Sequence, residues 1–123
     1  PRSELERMRF ACFFNDAQSG AYNGDYMQIV LLNNKDAKEY TGLNIILIDA
    51  TESESERVIV ERIVHLYPNS LLFRVAERCF ALLSHDFADV ASAKLSISCT
   101  VTSLDLTKEP ITYQELKKRF CNA

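Results

Sequence analysis

The chain has 123 residues and a formal net charge of −3, and 47% of its residues are hydrophobic. This length supports one hydrophobic core and is too short for two ordinary domains, so we expect a single domain over residues 1–123. The basic residues form no dense block, which argues against nucleic acid as a partner. No apolar run approaches the roughly 20 residues that span a bilayer, so we expect a soluble chain without membrane contact. Because the first methionine is Met8, we expect a fragment of a longer protein.

The four cysteines lie too far apart to form a zinc site or a redox motif with close cysteine spacing. No Asn-x-Ser/Thr sequon supports a secreted disulfide scaffold, so we expect reduced thiols and a cytoplasmic location. Cys12 and Cys99 are expected to fill inward positions of strands, where a free cysteine behaves as a small apolar residue. We expect no metal and no cofactor.

Three strands are predicted in the first half of the chain. Residues 9–14 are short and rich in aromatic side chains, which favours a strand. An Asn-Gly turn signal at residues 23–24 precedes residues 26–32, which are apolar on both faces as in a covered central strand. Residues 43–48 predict a third strand.

The acidic residues 51–56 predict either a solvated loop or, with Thr51 and Glu54 as a capping box, the start of a helix. Residues 58–66 are rich in β-branched side chains, which favour a strand. Alternation places Val58, Val60, Val64 and Leu66 on one face of that strand. We therefore predict a solvated acidic loop followed by a fourth strand.

The second half of the chain is more ambiguous. Residues 71–87 fit both a strand and a helical stripe, and we predict a short strand at 71–75 followed by a short helix over 76–83. Apolar residues alternate with Ser and Thr over residues 94–102, which is typical of a half-buried strand. A capping box that begins at Thr112 predicts a C-terminal helix through Phe120.

These elements predict a mostly β, antiparallel, immunoglobulin-like sandwich with a short helix near residues 76–83 and a C-terminal helical tail. The alternative is an α+β fold in which residues 53–67 and 72–87 are two helices packed on one sheet. The two folds differ in whether residues 71–87 form a helix or a strand.

Few residues have a spacing that suggests chemistry. Cys79 with His85 and Asp86 is the one local candidate for a thiol nucleophile with a base. The acidic residues 51–56 could attract calcium weakly or a basic partner, but they do not follow an EF-hand pattern. We therefore predict no catalytic residue in this chain.

The C-terminal helix is the best candidate for a partner contact, because a basic amphipathic helix can dock on a partner or on an acidic surface. Alternatively, the helix caps the core of its own domain. The predicted contact residues are Tyr113, Leu116, Lys117, Lys118, Arg119 and Phe120.

Two stretches carry a family resemblance. The first is Gly24-Asp25-Tyr26 with the apolar residues 29–32, Asn33-Asn34-Lys35 and Tyr40-Thr41; the second is residues 80–83 before residues 95–101. Together they resemble the first C-terminal β-sandwich domain of animal transglutaminases. The resemblance implies an immunoglobulin-like domain that is separate from the family's catalytic core, and it transfers no catalytic residue.

Three functions therefore compete. The leading one is a non-catalytic accessory domain that presents a folded surface to a protein partner or to neighbouring domains. The alternatives are a small α+β thiol-dependent enzyme or ligand-binding domain that uses Cys79 or Cys99, and a self-associating module that uses residues 27–32 or the C-terminal segment.

Overall fold

The computed structural model describes residues 13–87, 90 and 92–121. Helices and strands alternate irregularly along these residues. In chain order they are α1 (Gly24–Ala37), β1 (Gly42–Ile48), α2 (Glu56–Leu66), β2 (Leu71–Ala76), β3 (Cys79–Ser84), α3 (Ser92–Leu95), β4 (Cys99–Asp105) and α4 (Tyr113–Phe120).

The four strands form one antiparallel sheet in the order β2-β3-β1-β4. The central strands are β1 and β3, and each is followed in the chain by a helix and then by an edge strand. This β-α-β-β-α-β order is the split β-α-β arrangement. The protein therefore has a mixed α+β fold.

Helices cover both faces of the sheet. On one face Ile59 and Ile63 of α2 and Leu95 of α3 pack against Phe80 and other side chains of the sheet. On the other face Met27 and Leu31 of α1 and Leu116 of α4 pack against Phe73 and its neighbours. The two-sheet sandwich is thus not found in the described part of the chain, because helices occupy the layers where a second sheet would lie.

The predicted strand at residues 26–32 is wrong, because these residues lie inside α1. Asn23 caps the helix by accepting a hydrogen bond from the Tyr26 backbone N–H at 3.0 Å. Met27 and Leu31, four residues apart, are buried against the sheet, while Leu32 points outward with 68% of its surface exposed. The apolar run therefore reflects one buried helical face and one exposed apolar face.

The predicted strand at residues 58–66 is also wrong, because these residues form most of α2. Ser55 caps the helix and accepts from the Val58 backbone N–H at 3.3 Å. Ile59, Val60 and Ile63 are buried, a spacing that belongs to one face of a helix. Packing of this face outweighs the weak preference of β-branched residues for strands.

The predicted strand at 71–75 is confirmed as β2, but the predicted helix over 76–83 is wrong. Those residues are the end of β2, the β2–β3 turn and most of β3, and Arg78 adopts a left-handed φ of 60° in the turn. Five of the six β3 residues are buried because helices cover both faces of this central strand. The α+β alternative is therefore correct in class, with α2 as its first helix, but its second helix over 72–87 is a β hairpin.

The remaining predictions have mixed outcomes. Residues 43–48 are confirmed as β1, and the C-terminal helix is confirmed as α4, with the Thr112 hydroxyl accepting from the Glu115 backbone N–H at 3.2 Å. The strand predicted at 94–102 starts only at Cys99, after α3. Of the strand predicted at 9–14, residues 9–12 lie outside the described residues, whereas Phe13 and Phe14 are helical.

Replacing Gly42 with alanine is expected to lower the free energy of unfolding by about 1–3 kcal/mol. A Cβ atom at Gly42 would lie 2.8 Å from both the Asp86 carbonyl oxygen and the Phe87 Cα, so the crossing backbone would have to shift. Urea unfolding of Gly42→Ala beside Glu39→Ala, an exposed position in the same connection, measures this effect. Equal stability of the two variants would contradict the close backbone crossing.

Candidate functional site

A groove of about 610 Å³ lies between α1, the β4–α4 connection and the first turn of α4. Most of the exposed surface of its lining is apolar, and polar and charged side chains also line it. The apolar side chains that line it include Leu31, Leu32, Leu106, Pro110, Ile111 and Tyr113. Grooves of this size that combine an apolar floor with a few polar groups are typical binding sites in proteins.

The walls of the groove are fixed by the packing of α1 and α4. Leu116 of α4 is fully buried and places the helix on the sheet beside Met27 and Leu31. Tyr113 lies over Gly24 at the start of α1, where a Cβ atom would overlap the tyrosine hydroxyl. The absence of a side chain at position 24 thus lets the two helices approach closely.

The lining of the groove includes both basic and acidic side chains. Lys35 and Lys38, near the end of α1, line it together with Glu115 of α4. The Lys117 Nζ lies 5.8 Å from the centre of the Tyr113 ring, which forms part of the lining. Burial, followed by the electrostatic effects of Cys121, Asp25 and Cys79, raises the pKa of the Tyr113 phenol above its ordinary value.

The predicted contact residues of α4 divide between the core and the surface. Leu116 has no exposed surface, and Tyr113 and Phe120 pack partly against the same core. The exposed residues are Lys117, Lys118 and Arg119, and Arg119 pairs with Glu109 at 2.9 Å. The apolar face of α4 therefore packs mainly on its own domain, and the exposed residues of the helix are the three basic ones together with Gln114 and Glu115.

The predicted nucleophile and base are not brought together. Cys79 begins β3 and His85 follows its last residue, which separates them by about 20 Å at the rise of an extended strand. The His85 ring instead stacks on Tyr40, with 4.7 Å between ring centres. Burial raises the pKa of the Cys79 thiol, and burial together with the charge of Glu52 raises that of Cys99. Both effects disfavour the thiolate that a cysteine nucleophile requires.

Residues 51–55 form the predicted loop, in which Thr51, Ser53 and Ser55 are exposed, and the glutamates of residues 52–56 bind groups elsewhere in the fold. Glu52 accepts hydrogen bonds from the backbone N–H groups of Glu54 and Ser98, which lower the pKa of its carboxyl group. Glu54 pairs with Arg62 at 2.8 Å, and Glu56 pairs with Arg74 at 2.9 Å. Within the described ranges no cluster of three or more His, Cys, Asp or Glu side chains is arranged to hold a metal ion.

The α1 wall of the groove was missed because its residues were assigned to a strand. Two signals in the sequence favour a helix there: Asn23 can serve as an N-cap, and Met27 and Leu31 are spaced for one helical face. Leu32, Lys35 and Lys38 follow from that assignment as outward residues.

Comparisons with known proteins assign no family to this chain. No protein-family model matches the chain, and a search of curated proteins found no significant match. Across the residues that the structure describes, no helix has the length and apolar character needed to cross a membrane.

Proposed function

We propose that the chain is a non-catalytic protein-interaction domain, and that its groove binds an apolar segment with acidic side chains from a partner or a neighbouring domain. The observation that carries this proposal is the groove between α1 and α4, because its apolar lining continues onto exposed surface. This proposal keeps the predicted role of an accessory domain. The proposed contact surface now lies between α1 and α4, whereas the sequence pattern suggested α4 alone.

The apolar part of the argument rests on α1. Leu32 lines the groove with 68% of its surface exposed, and Ile29, one helical turn earlier, is 43% exposed. Residues three apart on a helix are neighbours on its surface. Exposed apolar patches with a polar rim are characteristic of surfaces that bind other proteins. A partner that covers Leu32 and Ile29 would remove this apolar area from water.

The charges select the chemistry of the partner. Lys35 and Lys38 line the groove, and Lys117 and Lys118 are exposed on α4. The first turn of α4 also lies at the groove, and the N-terminus of a helix carries a partial positive charge. Glu115 also lines the groove, so the charged side chains of the lining are two lysines and one glutamate. Acidic side chains on the partner would pair with the lysines and exclude strongly basic competitors.

The relation to transglutaminases stays a prediction and does not support this proposal. Gly24, Asp25 and Tyr26, which carry part of the resemblance, begin helix α1 in this protein. The implied immunoglobulin-like fold would place the same residues in a turn before a strand. The interaction role is proposed from the groove itself.

Two matched peptides test the proposal. Each is an amphipathic helix of roughly 16 residues, about 24 Å long, with the same leucine face. One carries Glu and the other Lys on the polar face. We expect the Glu peptide to bind the purified chain at least about tenfold more tightly than the Lys peptide, as measured by fluorescence anisotropy. Leu32→Glu should weaken binding of the Glu peptide by at least about tenfold.

Val64→Glu is the control, because Val64 is exposed on α2, which covers the opposite face of the sheet. This variant should bind the Glu peptide as the unmodified chain does. Failure of both peptides to bind, equal binding of both, or equal effects of the two substitutions would overturn the proposal. Sedimentation of the free chain adds one more outcome: a dimer that is lost in Leu32→Glu would assign the groove to a second copy instead.

A further inference from the structure

Two cysteines from distant parts of the chain meet where α4 ends against the sheet. Cys79 and Cys121 are 42 residues apart in sequence, yet their Sγ atoms lie 3.0 Å apart, with the Cys121 thiol donating to the Cys79 sulfur. The spacing in sequence gives no indication of this contact. It is created by the packing of α4 on the same side of the sheet as Cys79.

Both cysteines are held in place by local structure. Cys79 is the first residue of β3, directly after the turn that contains the left-handed Arg78, and its side chain is buried. Cys121 is the C-cap of α4, and its backbone N–H donates to the Lys117 carbonyl at 2.8 Å. Cys121 is partly exposed, whereas Cys79 is not. One thiol of the pair is therefore open to reagents and the other lies behind it.

We propose that Cys79 and Cys121 form a reversible intramolecular disulfide that fastens α4 to the central sheet. A disulfide bond has an S–S length of about 2.05 Å, so the two sulfur atoms need to approach by roughly 1 Å. The cap position of Cys121 allows this approach through a small displacement at the end of the helix. The proposal concerns a modification site and does not depend on what the groove binds.

The oxidant is a small disulfide of the glutathione class. The partly exposed Cys121, as a thiolate, attacks one sulfur of the small disulfide, which releases one glutathione thiolate and leaves a mixed disulfide on Cys121. Cys79 then loses its proton and attacks the Cys121 sulfur, which releases the second glutathione thiolate. Two protein thiols are oxidised to one disulfide, one glutathione disulfide is reduced to two thiols, and the two protons pass to the departing thiolates.

The rate of this exchange should depend on pH. Burial, and then the hydrogen bond and charge of Cys121, raise the pKa of the Cys79 thiol. Less Cys79 thiolate is then present at neutral pH, so the second step is slow there and accelerates as the pH rises.

Cys99 provides an internal control. It begins β4 and packs with the core on the α2 side of the sheet, whereas Cys79 belongs to the core on the α1 and α4 side. The sheet therefore separates Cys99 from the Cys79–Cys121 pair. Cys12 lies outside the described residues, so a Cys12→Ser, Cys99→Ser background leaves only the proposed pair of thiols.

The experiment is incubation of the full chain with oxidised glutathione, followed by alkylation, intact mass and peptide mapping. In the Cys12→Ser, Cys99→Ser background we expect the mass of two hydrogen atoms to be lost, with a crosslink between the peptides that contain Cys79 and Cys121. The oxidised form should melt roughly 5–15 °C above the reduced form, because the bond restricts the unfolded chain.

Single variants separate the two steps. Cys79→Ser should accumulate a glutathione adduct on Cys121 because the second thiol is missing, and Cys121→Ser should give neither adduct nor crosslink. Should Cys79→Ser fail to fold, Cys121→Ser retains the test, since position 121 is partly exposed. Adducts without loss of two hydrogens in the unsubstituted pair, or an equal melting temperature of oxidised and reduced forms, would overturn the proposal.

Discussion

Ile63→Ala is expected to lower the free energy of unfolding by about 2–5 kcal/mol, while Val64→Ala changes it by less than about 0.5 kcal/mol. Ile63 is fully buried between α2 and the sheet, so its truncation leaves a cavity in the core. Val64, the next residue, is 48% exposed and points away from the sheet. The two substitutions thus differ greatly in their effect on stability, because the helix directs Ile63 toward the sheet and Val64 toward solvent.

The pair also tests the assignment of α2. An alternating strand would bury Val64 and leave Ile63 among polar residues, which reverses the expected order of the two effects. Urea unfolding followed by far-UV circular dichroism gives both free energies under identical conditions. A larger loss for Val64→Ala than for Ile63→Ala would contradict the helix and the core built on it.

Leu116→Ala is expected to lower the free energy of unfolding by about 2–5 kcal/mol. Leu116 is fully buried and contributes to the core between α4, α1 and the sheet. An eight-residue helix is too short to be stable alone, so the position of α4 depends on this packing. The same substitution should therefore loosen one wall of the groove.

Lys118→Ala is the matched control on the same helix, because Lys118 is exposed. Its effect on stability should stay within about 0.5 kcal/mol. Denaturant unfolding of both variants checks the pair. If Leu116 were a residue for contacting partners, as the sequence pattern suggested, the two variants would be equally stable and only partner binding would change.

Elements with strong local signals were predictable from the sequence. The C-terminal helix follows from the hydroxyl of Thr112, which caps the backbone three residues later, and this interaction needs no distant contact. The strand at β1 follows from a short apolar run between a glycine and an aspartate. In both cases local structure and tertiary packing favour the same conformation.

Elements with conflicting signals were not predictable. In α2 the β-branched side chains favour a strand, but burial of Ile59, Val60 and Ile63 against the sheet stabilises a helix by more than that preference. In β3 nearly every residue is buried, so neither the alternation of a strand nor the period of a helix is visible. The outcome depends on neighbours that are distant in sequence.

The candidate sites show the same division. By itself the sequence determined that α4 is a capped helix with a basic face and that the chain carries four thiols. Only the tertiary structure decided that Leu116 belongs to the core, that α1 and α4 enclose a groove, and that Cys79 meets Cys121. Caps and runs of charge act over three or four residues, whereas a groove or a pair of thiols 42 residues apart exists only after long-range packing brings its parts together.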